Sequence, residues 1–288
     1  MRLLLLGKNG QVGWEAHRAL LTLGDVYAFD SSELNLLQFD KLRETIRQIK
    51  PDIILNASAY TDVDRAETES EIAFAVNAKA PSIMAEEAKA LKSVLIHYST
   101  DYVFDGKKGN AYKEIDATNP LNVYGQSKLA GEQAICQVGG AYVILRTSWV
   151  YSLRGNGFVS KVLSWFRKQE VLKIVSDQIG SPTWARMLAD NTALLIGRGG
   201  GFLNERTGVY HLAGAGEVSR LEWAKKILSL DRNKSEQVVR EILPSFTHEF
   251  PTPAERPLFS ALDCMEFEKV FGLKLSNWEE YLQLAMEI

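Results

Sequence analysis

The sequence predicts an α/β fold, a doubly wound parallel sheet with helices on both faces and a smaller C-terminal region beside it. Three observations carry this. Short continuous apolar runs recur at Leu3 to Leu6, Asp52 to Ser58 (DIILNAS), Ser93 to Phe104 (SVLIHYSTDYVF) and Ala141 to Tyr151 (AYVILRTSWVY), as in strands buried on both faces. Helix-like segments such as Ala73 to Leu91 separate them, and that alternation implies parallel strands. A glycine-rich turn follows the first run directly.

That turn is Gly7-Lys8-Asn9-Gly10-Gln11-Val12-Gly13, and a helical pattern begins at its end. Glycines so spaced permit a tight bend, leave bare backbone for a pyrophosphate, and let helix pack closely on strand. The helix would meet the phosphates with unpaired N–H groups and the positive end of its dipole. DVYAFD (Asp25 to Asp30) reads as the second strand. It ends in an acid about 20 residues beyond the glycines, where a carboxylate accepts hydrogen bonds from an adenosine ribose. A strand-end turn would also place an aspartate there. Strand, glycine turn, helix, strand and acid in that order indicate a Rossmann-type dinucleotide site. Ser31 and Ser32 follow with no arginine for a 2′-phosphate, which favours NADH over NADPH.

In such sheets ligands bind beyond the carboxyl ends of the strands. Asn56 to Thr61, Ser99 to Asp101 and Thr147 to Trp149 should therefore share one crevice. Residues 1–150 would form the dinucleotide-binding domain. Beyond them the alternation loosens, and LPSFTHEFPTPAERP (Leu243 to Pro257) reads as an extended loop. Residues 151–288 would mainly bind substrate, with segments near 171–200 returning to the first domain.

A chain of 288 residues with 46% hydrophobic content can bury a substantial core. Its net charge of -3, without a run of Lys or Arg, gives no electrostatic footprint for nucleic acid or an anionic membrane. A small-molecule partner is expected instead. Cys136 and Cys264 lack ligand-like spacing and read as reduced packing residues. The start MRLLLLG is too short for a signal-peptide core and no apolar run is long enough to span a bilayer, so a cytoplasmic protein is expected.

PLNVYGQSKLAGE (Pro120 to Glu132) sets Tyr124 and Lys128 on one face near the start of a helix, beginning at Pro120 or Asn122. A tyrosine with a free pKa of about 10 is a poor acid near neutrality unless a cation stabilises its phenolate. Lys128 can supply that charge. Carbonyl reduction also needs a second donor on the reacting oxygen, and Ser99 or Thr100 ends the preceding strand. Other residues have two readings each. His97, inside an apolar strand, is read as a satisfied core residue rather than a base. Trp149 suits stacking on a sugar or base, or simple core packing. Arg256 could grip a diphosphate or form a loop salt bridge. Asp62 and Asp64 could be a metal pair or solvated, helix-capping acids.

The glycine turn, NAS after the third strand, STD after the next, and Tyr-x-x-x-Lys together resemble the extended short-chain dehydrogenase/reductase family. GKNGQVGWE, TDVDRAE, HYSTDYVFDG, NPLNVYGQSKLAGE, RTSWVY and PTPAERP closely resemble the branch that reduces nucleotide-linked 4-keto-6-deoxy sugars, from Met1 to about Leu262. The resemblance implies Tyr124 as the acid on the C4 oxygen, Lys128 holding the nicotinamide ribose, and Thr100 binding the reacting oxygen. It implies Asn9, Gly10, Gln11, Val12 and Asp30 at the adenosine and pyrophosphate end, and Ala59, Tyr60, Thr61 and Tyr98 along the cofactor channel. Asn35 and Leu36 fall at the adenine position, in a segment that departs from the family pattern. Asp101 and Trp149 would contact the sugar nucleotide. Relatives also use magnesium through carboxylates at a homodimer contact; only Glu15 matches that pattern, and no metal ligand is assigned. Two rivals remain. A dehydratase or epimerase of the same fold needs Thr-Asp-Glu for elimination, whereas this chain has Thr100-Asp101-Tyr102. A non-catalytic regulatory subunit could bind dinucleotide without turnover, and the intact Tyr124, Lys128 and Thr100 argue against it.

Overall fold

The computed structural model describes residues 1–155 and 157–287. Six parallel strands form the central sheet: β1 (Arg2–Leu6), β2 (Asp25–Phe29), β3 (Ile53–Asn56), β4 (Val94–Thr100), β5 (Ala141–Thr147) and β6 (Gly208–His211), in the order β6-β5-β4-β3-β1-β2. Leu3 and Leu5 enter the core on one face and Leu4 and Leu6 enter the core on the other. That double burial is why the run is continuous rather than alternating. Each buried leucine contributes about 1.5–3 kcal/mol.

The order reverses at β1, which pairs with both β2 and β3. A crevice opens at such a reversal, and the turn after β1 lies in it. Helix α1 (Gln11–Leu20) packs on α5 (Ala185–Gly197), while α2 (Phe39–Ile49) packs on α3 (Ala80–Leu91) and α3 on α4 (Val123–Val138). The helical stretch expected from Ala73 to Leu91 is interrupted: Ser70–Phe74 is followed by a π-helical turn, Ala75–Lys79, before α3. The expected strand Ala141 to Tyr151 also divides, because Trp149 has φ +44° between β5 and the short strand Val150–Tyr151. A bulky residue in the left-handed region is a strained one.

Beyond β5 the chain contributes both to this sheet, through β6, and to smaller pairings. Val171–Val175 pairs in parallel with Glu241–Ser245, so the first residues of the segment expected to be loop, Leu243 to Ser245, are strand. Helix α6 (Arg220–Leu230) packs against Phe158–Phe166. Cys264 is buried, but Cys136 is exposed rather than packed. Among the described residues no helix is long and apolar enough to cross a membrane.

Candidate active site

One cavity of about 790 Å³ runs along the carboxyl ends of the strands. It brings together Gly7, Asn9, Gly10, Gln11, Val12, Asp30, Asn35 and Leu36 at one end, and Thr100, Asp101, Tyr124, Lys128 and Trp149 at the other. Ala59, Tyr60, Thr61 and Tyr98 lie along it. Two expected site residues do not line it, Gly13 and Arg256.

The glycine turn divides three tasks. Gly7 has φ +91°, and a β-carbon there would lie 2.7 Å from Ser58 Oγ. At Gly13 a β-carbon would lie 1.9 Å from the Gly7 carbonyl oxygen, so this residue serves helix-on-strand packing rather than ligand contact. Gly10 is different: its added β-carbon would meet nothing closer than 3.4 Å. It also caps α1 with no side-chain bond, and the first helical turn holds no acid. Bare backbone and open N–H groups at a positive helix end fit a pyrophosphate. Asp30 accepts from Asn9 Nδ2 at 2.6 Å and from Ser32 N and Oγ at 2.8 and 2.6 Å. The Ser32 bonds, the largest influence, hold its carboxyl below the usual range.

Asn122 starts α4 by accepting from Gly125 N at 2.8 Å, which fixes where Tyr124 and Lys128 fall on the first two turns. Burial is the dominant influence on Tyr124 and raises its pKa, opposed by a hydrogen bond with Thr100. The expected lowering by Lys128 is absent from this arrangement. The Lys128 ammonium instead donates to the Tyr98 carbonyl at 2.6 Å and faces His97 Nε2 at 3.2 Å. Burial brings the Lys128 pKa down to about 8, with Glu132 opposing. His97 is fully buried, and burial with the nearby Lys128 charge keeps it neutral. Asn56 Oδ1 accepts from Ser58 N, so its amide nitrogen faces His97 Nδ1 at 2.9 Å. The ring proton then belongs on Nε2, towards Lys128.

Thr100 Oγ1 donates to Asp101 Oδ1 at 3.1 Å, and Asp101 Oδ2 accepts from Ser148 and Ser260 at 2.9 and 2.5 Å. Burial lifts Asp101 to about 6 and these hydroxyls oppose the rise. Ser99 is committed elsewhere, donating to Glu132 at 2.5 Å, which leaves Thr100 as the hydroxyl facing the site. Trp149 presses against Gly180, where a β-carbon would lie 2.4 Å from the indole, and its ring carries the Arg220 guanidinium at 3.7 Å. Both a packing role and a cavity position therefore hold for Trp149.

Arg256 forms a fork with Asp64, Nη2 to Oδ2 at 2.8 Å and Nη1 to Oδ1 at 3.1 Å, the salt-bridge alternative of its two readings. Asp62 caps Val63–Ala66 by accepting from Arg65 N. Among the described residues, no group of three or more His, Cys, Asp or Glu side chains is arranged to hold a metal; Glu15 lies half-buried on α1. Three contributors escaped the sequence reading. Asn77, on the π turn, donates to the Tyr60 carbonyl and to Ser127 Oγ and accepts from Tyr60 N, tying the cavity wall to α4. Tyr102 and Arg220 line the cavity. No spacing pattern marks a π turn or a residue that arrives from a distant helix.

Comparison with known proteins adds three likenesses and a family. The family model described as RmlD substrate binding domain matches residues 1–288. A curated dTDP-4-dehydrorhamnose reductase of Escherichia coli K12 is 41% identical over 286 residues, covering 97% of this chain and 95% of that protein. A crystal structure of a dTDP-4-dehydrorhamnose reductase from Clostridium acetobutylicum superposes with a TM-score of 0.92 at 31% identity, covering 100% and 99% of the two chains. Another, from Bacillus anthracis and in complex with NADP, gives 0.90 at 34% identity, covering 99% and 98%.

Proposed function

The chain belongs to the RmlD substrate binding domain family, and we propose that it reduces the C4 keto group of dTDP-4-dehydro-β-L-rhamnose to give dTDP-β-L-rhamnose. The relatives named dTDP-4-dehydrorhamnose reductase support the substrate. The carrying observation is the single cavity that joins the Gly10 end of α1 to Tyr124, Lys128 and Thr100.

When bound, NADH or NADPH supplies the hydride. Gly7, Gly10, Gln11 and Val12 would hold its pyrophosphate, Asp30 its adenosine ribose, and Lys128 its nicotinamide ribose. Tyr124, kept protonated by burial, gives its proton to the C4 oxygen as negative charge develops there. Thr100 turns its hydroxyl from Asp101 to the same oxygen. Asp101 and Trp149 orient the sugar. Asp30 favours a free ribose hydroxyl, while the NADP complex of the Bacillus anthracis relative supports use of NADPH too. Residues 1–150 with β6 and α5 would form the dinucleotide-binding domain, and the remainder would cover the sugar nucleotide.

The test mixes the protein with NADH or NADPH and the 4-keto-L-rhamnose nucleotide, following reduced-nicotinamide absorbance and identifying the sugar. Oxidation with dTDP-rhamnose as product is expected. Tight cofactor binding with no oxidation would overturn the reading in favour of another 4-keto sugar or a regulatory subunit.

A further inference from the structure

Arg220 stands in the cavity wall under conditions that disfavour a cation. It is the first residue of α6, at the positive end of the helix dipole, where basic residues are destabilising. Burial is the main influence on it and draws its pKa down, and the neighbouring Arg256 charge acts in the same direction. Tyr102 and Asp101 lie near enough to offset this in part. Asp101 is already committed, accepting from Thr100, Ser148 and Ser260.

The contrast with Arg256 is direct. Arg256 has the Asp64 carboxylate on its fork, whereas among the described residues Arg220 forms no ion pair with a carboxylate. Arg220 is nevertheless held firmly. Ser219 caps the helix by accepting from Glu222 N, the Arg220 N–H donates to the Gln178 carbonyl at 3.1 Å, and the guanidinium lies over Trp149 at 3.7 Å and Phe158 at 4.9 Å. An ordered, planar, unneutralised cation facing a cavity is suited to a diphosphate, which it can grip through two N–H groups.

We infer that Arg220, stacked on Trp149, binds the diphosphate of the nucleotide-sugar substrate; this rests on the reductase reading above. The cofactor's own pyrophosphate is assigned to the opposite end, at α1, and the Arg256 fork is already occupied by Asp64. Arg220 thereby takes the role that Arg256 has in one of its two sequence readings.

The test titrates dTDP and dTMP into the wild type and Arg220→Gln with NADP present, and measures steady-state kinetics on the keto sugar. The wild type should bind dTDP more tightly than dTMP. Arg220→Gln should raise KM about 10- to 100-fold, leave kcat and the NADPH dissociation constant nearly unchanged, and abolish most of the preference for dTDP. Arg220→Lys, which keeps charge without the fork, should fall between. An unchanged KM with an unchanged dTDP preference would overturn the assignment. So would equal weakening of dTDP and dTMP, which would point to a contact with the base. Inactivity of the wild type on the keto sugar would overturn the reaction alone, because the nucleotide titrations read Arg220 independently.

Discussion

The two ends of the cavity are built by different means. At the α1 end most of the wall comes from one stretch of chain, Gly7 to Asp30, and Gly10 leaves its backbone open to the cavity. Asn9, Asp30 and Ser32 bond one another near solvent. At the Trp149 end, Asp101 follows β4, Trp149 follows β5 and Arg220 opens α6, and Asp101 is only 3% exposed. A phosphate tail can be met by peptide N–H groups from a contiguous loop. Discrimination of a sugar would need side chains fixed in direction; here the candidates come from three separated segments, Asp101 held by burial and three hydroxyls and Trp149 and Arg220 by stacking on one another.

The largest effect should appear at the reacting group of the Trp149 end. Tyr124→Phe removes the proton donor and should lower kcat about 10²- to 10⁴-fold with no change in the NADPH dissociation constant; undiminished turnover would remove Tyr124 from the chemistry.

Next, the glycines should separate folding from binding at the α1 end. Gly13→Ala forces a β-carbon against the Gly7 carbonyl at 1.9 Å and should cost about 3 kcal/mol in urea unfolding. Gly10→Ala should leave the midpoint nearly unmoved while weakening NADPH, and a reversed pattern would contradict the division of tasks.

A comparable effect, tied to pH, belongs to the buried end. The folded-state pKa of Asp101 is raised to about 6, so between its ordinary value of about 4 and pH 6 the native state holds more protons than the unfolded chain. Its contribution therefore falls as pH rises through that window, by about 3 kcal/mol. Asp101→Asn should flatten the unfolding free energy over the same range; a slope identical to wild type would show that Asp101 does not titrate there. The smallest effect is at the half-buried carboxylate of Asp30. Asp30→Ala should weaken NADH about tenfold and NADPH less, and equal losses would remove the ribose assignment.

Legibility in the sequence followed the same division. The first five strands, the glycine turn, Asp30 and the start of α4 are local features, set by burial on two faces, backbone freedom and capping, and periodicity reveals them, whereas β6, a four-residue strand in the loosened C-terminal pattern, was not legible. Tyr124 and Lys128 were legible as a pair because a helix brings them together. Lys128 engaging the Tyr98 carbonyl was not, since that contact joins α4 to β4 across 30 residues. Trp149 looked like strand because the left-handed turn that ends β5 uses no glycine. Arg220 carries no motif, and only the packing of α6 on the Phe158 helix delivers it.

The π turn at Ala75–Lys79 fixes something other than residue identity. It uses one residue more than an α-helical turn would, and that extra residue aligns Asn77 with Tyr60 and Ser127. Removing a single residue there would rotate the downstream helix by about 100° relative to the segment before it, swinging Ile83, Met84 and Ala88 away from the core they fill. Segment length is thus under the same constraint as composition: a one-residue deletion in this largely buried helix should be less tolerable than most substitutions on its exposed positions.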